Sequence, residues 1–468
     1  MEGVSLNDLP RETVLKILYE INEKGAYSNI AINKYIENSQ FKEIDKNFIT
    51  GLTYGTIKWR LTIDFIIEQF SKIPIRKLSP WILNILRLGI YQILYTDKIP
   101  VSAACNESVN LALKYGHKAS SGFVNGILRN ISRNKDKIVY PDKNKDLLKH
   151  LSVKYSYQEW MVKRWLDIYG EEFTESLLQN NNENPDFSIS VNNLKISTRE
   201  FMQKLLDEGI ECYESQYIDN TLILKNPAGI THSNLYREGY FQVQDQASML
   251  VSRILDPKPG ELVIDVCSAP GGKTANIVQL MNNQGIVVAR DIHPHKIQII
   301  KDTAVRLGLN IVKTELFDAT NLDPSYIDKA DRVLVDAPCT GLGIIRRKPD
   351  IKWTRKLNDI ETIPPLQLEI LNAASKYVKR EGVLLYSTCT IEPMENIDVI
   401  NKFLSLNNDF TLEGFEKLLT NKLIEEANKL INDAIKSGEK TAHEGYIQLF
   451  PNMDGLDGFF IAKLRRAK

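Results

Sequence analysis

Two segments of this 468-residue chain set a cysteine directly after a run of β-forming residues: VLVDAPCTG carries Cys339 and LLYSTCTIEP carries Cys389. A third, DVCSAPGGKT at 265–274, joins Cys267 to a glycine turn that leads into a helix. A thiolate adds readily to an electron-poor carbon and leaves again, so cysteines beside a ligand-binding turn point to covalent catalysis. A cysteine on its own is more often a small buried hydrophobe. Two at the edge where α/β sheets bind ligands favour the chemical reading. Cys105 and Cys212 lie elsewhere, and five cysteines without ligand spacing predict neither a disulfide framework nor a metal site.

The turn decides which ligand is held. A phosphate-cradling loop needs Gly-x-x-x-x-Gly-Lys-Ser/Thr, and counting back from Gly272-Lys273-Thr274 its first glycine would stand where the chain has Cys267. The Gly-x-Gly-x-x-Gly spacing of dinucleotide sites is also missing. Instead, acidic residues end successive β-type runs: Asp265 in LVIDV, Asp291 closing IVVARD, Asp318 in LFDAT and Asp336 closing VLVD. Any one of them is more often a cap or turn residue. As a set they suit sugar hydroxyls and a cation and would repel a triphosphate, with Asp291 matched to a ribose and Asp318 to an adenine amine. S-adenosylmethionine, which carries a ribose, an adenine and a sulfonium but no phosphate, is the expected ligand.

A methyl donor gives the thiols a task. Carbon 5 of cytosine is too weak a nucleophile to attack a methyl group until a thiolate has added at carbon 6. A base then removes the carbon 5 proton and the thiolate is expelled. A carboxyl group donating toward ring nitrogen 3 would stabilise the adduct, and Asp336 stands three residues before Cys339.

The scaffold that must hold these residues reads as three segments. Residues 1–140 show helical periodicity broken at Pro74, Pro80 and Pro100, an all-α bundle. Residues 141–240 read as a small α+β connector, with strands in FSISVNNLK and TLILKN and a helix in STREFMQKLLDEGI. Residues 241–468 alternate short β runs with amphipathic stretches, the pattern of an α/β, mainly parallel, doubly wound sheet, with GFFIAKL as a late strand. Net charge is zero, yet residues 51–140 carry 13 Lys and Arg against 5 Asp and Glu, an imbalance that fits either an anionic partner or a solvated helical surface. The start of the chain has no signal-like stretch and no run is long enough to span a membrane, so a cytoplasmic, non-membrane protein is expected, and a monomer.

LRLGIYQILY and the basic stretch FVNGILRNISR make the first segment resemble the NusB-type RNA-binding fold. DVCSAPGGKT, ARDIHP, VLVDAPCTGLGIIRRKPDIKW, YSTCTIEPMEN and DGFFIAKL, in that order, resemble the motifs of the RNA cytosine-5 methyltransferases, and YFQVQDQASML resembles the stretch leading into that Rossmann-like domain. Together the parts are similar to bacterial 16S ribosomal RNA methyltransferases of the Sun type. The resemblance implies that Cys389 is the nucleophile and that Cys339 assists product release. It also implies that Cys267, Ser268, Ala269, Pro270, Gly271, Gly272, Lys273, Asp291, Asp318 and Asp336 bind the methyl donor, and that single-stranded or looped 16S ribosomal RNA is the substrate. A transfer RNA substrate, and a non-catalytic RNA-binding factor on the same fold, are the alternatives. Ser268 stands where alanine is more usual, a change expected to be neutral in a backbone-lined loop. Arg346, Arg347, Lys348 and Trp353 read equally well as an RNA-contacting segment and as a surface loop anchored by its tryptophan. Residues 418–442 match no motif and read as an exposed helical insertion.

Overall fold

The computed structural model describes residues 9–37, 39–420, 422–423, 444–452 and 455–468, a span that leaves most of 418–442 outside the described residues. The chain forms two compact units, one running to Asn182 and including Ile345–Arg355, the other comprising Glu183–Ile344 and Lys356–Lys468.

The first unit is helical. Helices α1 to α7 cover Leu9–Lys24, Ser28–Ile36, Glu43–Lys58, Arg60–Phe70, Pro80–Tyr95, Val101–Tyr115 and Lys118–Arg133. The hydrophobic α5, PWILNILRLGIYQILY, is central, as a helix apolar on most faces must be, and Ile85, Leu86 and Ile90 are fully buried. Ser79 caps it and Pro80 opens its first turn. Its Arg87 makes a bidentate pair with Asp64, 2.7 Å on each arm, so one of the basic residues counted in 51–140 is structural. Lys72, Arg76 and Lys77 are exposed.

Three more helices, α8 (Leu147–Tyr155), α9 (Glu159–Tyr169) and α10 (Glu171–Asn180), occupy a stretch that the sequence reading assigns to the α+β connector. Leu151, Met161, Val162, Trp165, Leu177 and Leu178 are buried at helical spacing, whereas the β-type runs begin only at Phe187. The segment Ile345–Arg355 is held in this unit by buried polar contacts. Ser28 Oγ donates to Asp350 at 2.7 Å, Trp353 Nε1 to the Ile57 carbonyl at 2.8 Å, and Lys352 Nζ to Asn182 Oδ1 at 2.7 Å. Lys352 is fully buried with its ammonium 3.7 Å from the centre of the Tyr157 ring, and burial together with nearby Lys58 pushes its pKa well down. The tryptophan of this basic segment is anchored, while most of the segment is buried and not a surface loop. Arg346 is buried as well, and Lys348 alone of the three cations is exposed.

The second unit holds two sheets. The smaller is antiparallel, ordered β2 (Cys212–Glu214), β3 (Thr221–Leu224), β1 (Phe187–Val191) and β4 (Phe241–Val243), with α11 (Thr198–Asp207) started by a Ser197–Glu200 capping box and a short α12 (Asn234–Arg237). β4 pairs with β1, so FQV of the stretch leading into the catalytic segment belongs to this smaller sheet. Helix α13 (Gln246–Leu255), capped by Asp245, then enters the large sheet. Its strands are β5 (Leu262–Asp265), β6 (Ile286–Asp291), β7 (Val312–Leu316), β8 (Ala330–Asp336), β9 (Val378–Thr388), β10 (Phe410–Leu412), β11 (Tyr446–Leu449) and β12 (Phe459–Arg466). The order is β10-β12-β9-β8-β5-β6-β7, with β11 on β12. Strands β9, β8, β5, β6 and β7 are parallel and β12 runs antiparallel to β9. Helices α14 (Gly272–Leu280) and α15 (Pro294–Leu307) follow β5 and β6. Among the described residues no helix is long and apolar enough to cross a membrane.

Candidate active site

The chain leaves β5 toward β6 on one side and returns to β8 on the other, so the carboxyl end of β5 is a topological switch point where an open α/β sheet has a crevice. Sheet order arrays the predicted residues in a row. Cys389 follows β9, Asp336 and Cys339 lie at and after the end of β8, Asp265 and Cys267 at β5, Asp291 at β6, and Asp318 just past β7. The two cysteines thus lie at one end of the row and the sugar-binding and base-binding candidates at the other.

At the centre, Asp265 is fully buried. Its Oδ2 accepts from Thr274 Oγ1 at 2.7 Å and its Oδ1 is buried without a hydrogen-bond partner. Burial raises its pKa to about 7, with the Thr274 hydrogen bond opposing and the negative charge of Asp336 adding to the rise. The following loop turns at Gly271, whose φ of +99° favours glycine, and Gly272 leaves room for the side-chain amide of Gln244, 3.3 Å from where a Cβ would stand. Gln242 donates to the Gly272 carbonyl at 3.0 Å. Ser268 is not idle: its amide and its hydroxyl both donate to the Arg290 carbonyl, at 2.8 and 2.9 Å, tying the loop to β6, so an alanine there would lose one of the two bonds. The Cys267 thiol is pushed far up by burial and by Asp265, Asp336 and Asp291, which leaves it protonated and unsuited to act as a nucleophile. Ala269 and Pro270 complete the loop between Ser268 and Gly271.

Asp291 accepts from the His293 amide at 3.0 Å and lies 3.6 Å from the Lys296 ammonium. Asp318 holds a tight turn, accepting from the Thr320 amide and hydroxyl, and these bonds lower its pKa. Asp336 accepts from Lys273 Nζ at 2.8 Å and from Ser387 Oγ at 2.8 Å. Burial works to lower the Lys273 ammonium, but the charge and hydrogen bond of Asp336, with Asp245 and Cys389, lift its pKa above the usual value. The lysine that would reach a phosphate in a nucleoside triphosphate site is here neutralised by a carboxylate, and the rest of the crevice is acidic. That donor set fits S-adenosylmethionine: loop 267–272 and Asp291 would hold the ribose side, Asp318 the adenine, and the Asp336 end the sulfonium.

The two cysteine loops meet. Cys339 Sγ and Cys389 Sγ are 3.3 Å apart and both residues are half-buried. The hydrogen bond with Cys389 and burial push the Cys339 thiol well above its ordinary value, so it remains protonated at neutral pH and can donate to a Cys389 thiolate. The Cys389 carbonyl accepts from Gly343 N at 3.0 Å, and the Gly343 carbonyl accepts from Gly458 N at 2.8 Å. A Cβ on Gly343 would stand 2.0 Å from the Gly458 carbonyl oxygen.

Sequence reasoning assigned no role to Gln242, Ser387, Glu395 or Asn396. Asn396 Oδ1 accepts from Thr388 Oγ1 at 2.6 Å and its amide donates to the Thr390 carbonyl at 3.0 Å, bracketing Cys389. Their only signal in sequence was membership of the quoted motifs. Among the described residues no cluster of His, Cys, Asp and Glu could hold a metal ion.

Comparison with known proteins divides the chain in three. Residues 252–465 match the family model for 16S rRNA methyltransferase RsmB/F, residues 8–133 that of the NusB family, and residues 157–231 a ferredoxin-like domain of RsmF/B-like methyltransferases. The chain is 37% identical over 459 residues to a probable ribosomal RNA small subunit methyltransferase B of Bacillus subtilis, covering 97% of this chain and 98% of that protein. It is 34% identical over 464 residues to a protein of the same description from Synechocystis, covering 98% and 99%. A solved methyltransferase homolog from Pyrococcus horikoshii aligns with a TM-score of 0.58 at 27% identity, over 68% of this chain and 99% of that one. Aligned with these relatives over nearly its whole length, and itself matching the NusB, ferredoxin-like and methyltransferase models in order, the chain belongs to the ribosomal RNA small subunit methyltransferase B family.

Proposed function

We propose that this protein transfers a methyl group from S-adenosylmethionine to carbon 5 of a cytosine in 16S ribosomal RNA, through a covalent adduct between Cys389 and the base. The observation that carries this reading is the pair of sulfurs 3.3 Å apart beside the Lys273–Asp336 pair, at the end of the sheet opposite Asp291 and Asp318. Cys389, receiving the Cys339 S–H, adds as thiolate to carbon 6. Asp336 passes a proton from its Lys273 partner to ring nitrogen 3, offsetting the charge that develops there. S-adenosylmethionine supplies the methyl group. A base then takes the carbon 5 proton, the bond between carbon 6 and sulfur breaks to release Cys389 as thiolate, the proton on ring nitrogen 3 returns to the Asp336–Lys273 pair, and Cys339 assists this release. The target base must be unstacked to reach a crevice of this kind. The NusB-family segment, with exposed Lys72, Arg76 and Lys77, supports docking of RNA by its phosphates.

The test uses Cys339→Ala with S-adenosylmethionine and unmodified 16S ribosomal RNA on a denaturing gel. A protein band shifted by bound RNA, absent from the Cys339→Ala, Cys389→Ala double variant, supports the nucleophile, the release role and the substrate together. Cys389→Ala should abolish turnover and Cys267→Ala should keep most of it, and equal loss in both would refute the assignment. Labelling of transfer RNA but not 16S RNA would move the substrate.

A further inference from the structure

We infer that Glu395 is a positioning residue that sets the spacing of the two catalytic sulfurs and, through it, the release half of the reaction. The inference rests on the covalent mechanism proposed above. Glu395 closes the single turn Pro393–Glu395 just beyond the Thr-Cys motif and is fully buried. Its Oε2 accepts from the Thr340 amide at 2.8 Å and from Gln367 Nε2 at 3.1 Å; its Oε1 accepts from the Thr340 hydroxyl in a short bond and from Thr390 Oγ1 at 3.4 Å. Thr340 and Thr390 are the residues directly after Cys339 and Cys389, and their hydroxyls are 2.9 Å apart. Gln367 also donates to the Pro338 carbonyl at 2.9 Å, so both neighbours of Cys339 are tied to Glu395 or to its donor.

The two cysteines depend on this carboxylate unequally. Cys389 has anchors of its own: β9, which ends at Thr388, the Gly343 amide on its carbonyl, and Asn396 on both flanking threonines. The Thr340 amide beside Cys339 is held by Glu395 itself. A buried carboxylate surrounded by neutral donors is costly, and burial raises the Glu395 pKa accordingly; bonding both loops at once is what offsets that cost. Truncating Glu395 therefore loosens the Cys339 loop more than the Cys389 loop, and the nucleophile still adds but is released slowly.

Sulfur spacing can be read without any RNA. Phenylarsine oxide condenses with two adjacent thiols, forming two arsenic–sulfur bonds and losing its oxygen as water. The wild-type protein should bind it through Cys339 and Cys389, with Cys339→Ala as the reference for loss. Glu395→Gln keeps an acceptor for the Thr340 amide and should bind close to wild type, whereas Glu395→Ala should bind roughly tenfold or more weakly, the size expected for one lost charge-assisted hydrogen bond. With 16S RNA, Glu395→Ala should accumulate the covalent band of Cys339→Ala, while Glu395→Gln turns over. Arsenical binding by Glu395→Ala at wild-type strength would overturn the inference. Should Glu395→Ala fail to fold, Glu395→Asp, one methylene short of Thr340, takes its place under the same criteria. If Cys339→Ala traps no RNA, the proposed function falls while the arsenical series still decides the spacing.

Discussion

Asp265 offers a quantitative test. Its carboxyl group titrates near 7 in the folded protein against 3.8 in the unfolded chain, because burial disfavours the charge. Between those values the folded state holds a proton that the unfolded state has lost, so stability must fall as pH rises through the window. A difference of about 3 units at about 1.36 kcal/mol each sets an upper figure of about 4 kcal/mol. In Asp265→Asn the side chain cannot ionise, and its oxygen still accepts from Thr274. The new amide meets the place where Oδ1 has no partner and costs about 1–3 kcal/mol at every pH, which leaves the slope as the readout. All five tryptophans, Trp59, Trp81, Trp160, Trp165 and Trp353, belong to the helical unit, so tryptophan emission follows the wrong part of the molecule. Hydrogen exchange of a peptide covering β5, with variant and wild type compared at each pH from about 5 to 8, follows the right part. The variant should gain protection relative to wild type by at least about 2 kcal/mol across that range. A flat difference, or one of opposite sign, would refute the account of Asp265 as a strained, buried acid.

Two other substitutions test the supports of the site and of the helical unit. Gly343→Ala drives a methyl group into the Gly458 carbonyl and should destabilise the methyltransferase unit by about 3 kcal/mol or more, with loss of activity exceeding loss of fold, as judged by melting and by turnover below the melt. Lys352→Met removes the ammonium's bonds to Asn182 Oδ1 and to the Lys58 and Tyr155 carbonyls, the last of which keeps the Asn182 side-chain amide, and should cost about 1–3 kcal/mol in urea unfolding followed by tryptophan emission. The depressed lysine binds fewer protons when folded than when unfolded, so wild-type stability should also rise with pH toward the ordinary lysine range, and the variant should lack that rise.

Much of this was legible in the chain because β-type runs ending in acid or cysteine are a local signal. LVIDV, IVVARD and VLVDA became β5, β6 and β8, and their final residues share one sheet edge. The fold class and the family follow from motifs that keep their order. The helices between 147 and 180 were missed because two clear strand runs downstream dominated the reading of that stretch. Trp353 and the basic run Arg346, Arg347 and Lys348 before it remained ambiguous for a deeper reason. A basic run with an aromatic has the same composition whether it faces a nucleic acid or a helical core, and only the buried partners Ser28, Ile57 and Asn182, all distant in sequence, separate the two. Glu395 is similar: its value lies in bonding residues on two loops, one of them 55 positions away.

The segment Ile345–Arg355 also bears on how such a chain can be inherited and rearranged. The methyltransferase unit lends these residues to the helical unit and then takes the chain back, so neither unit is a continuous stretch of gene. A single cut after Asn182 would leave the catalytic piece carrying a strap whose lysine and tryptophan have lost their burial site, and would leave the helical piece with an open one. Exchange of domains between relatives therefore has to move two stretches at once, because bonds such as that of Ser28 to Asp350 join residues 322 positions apart.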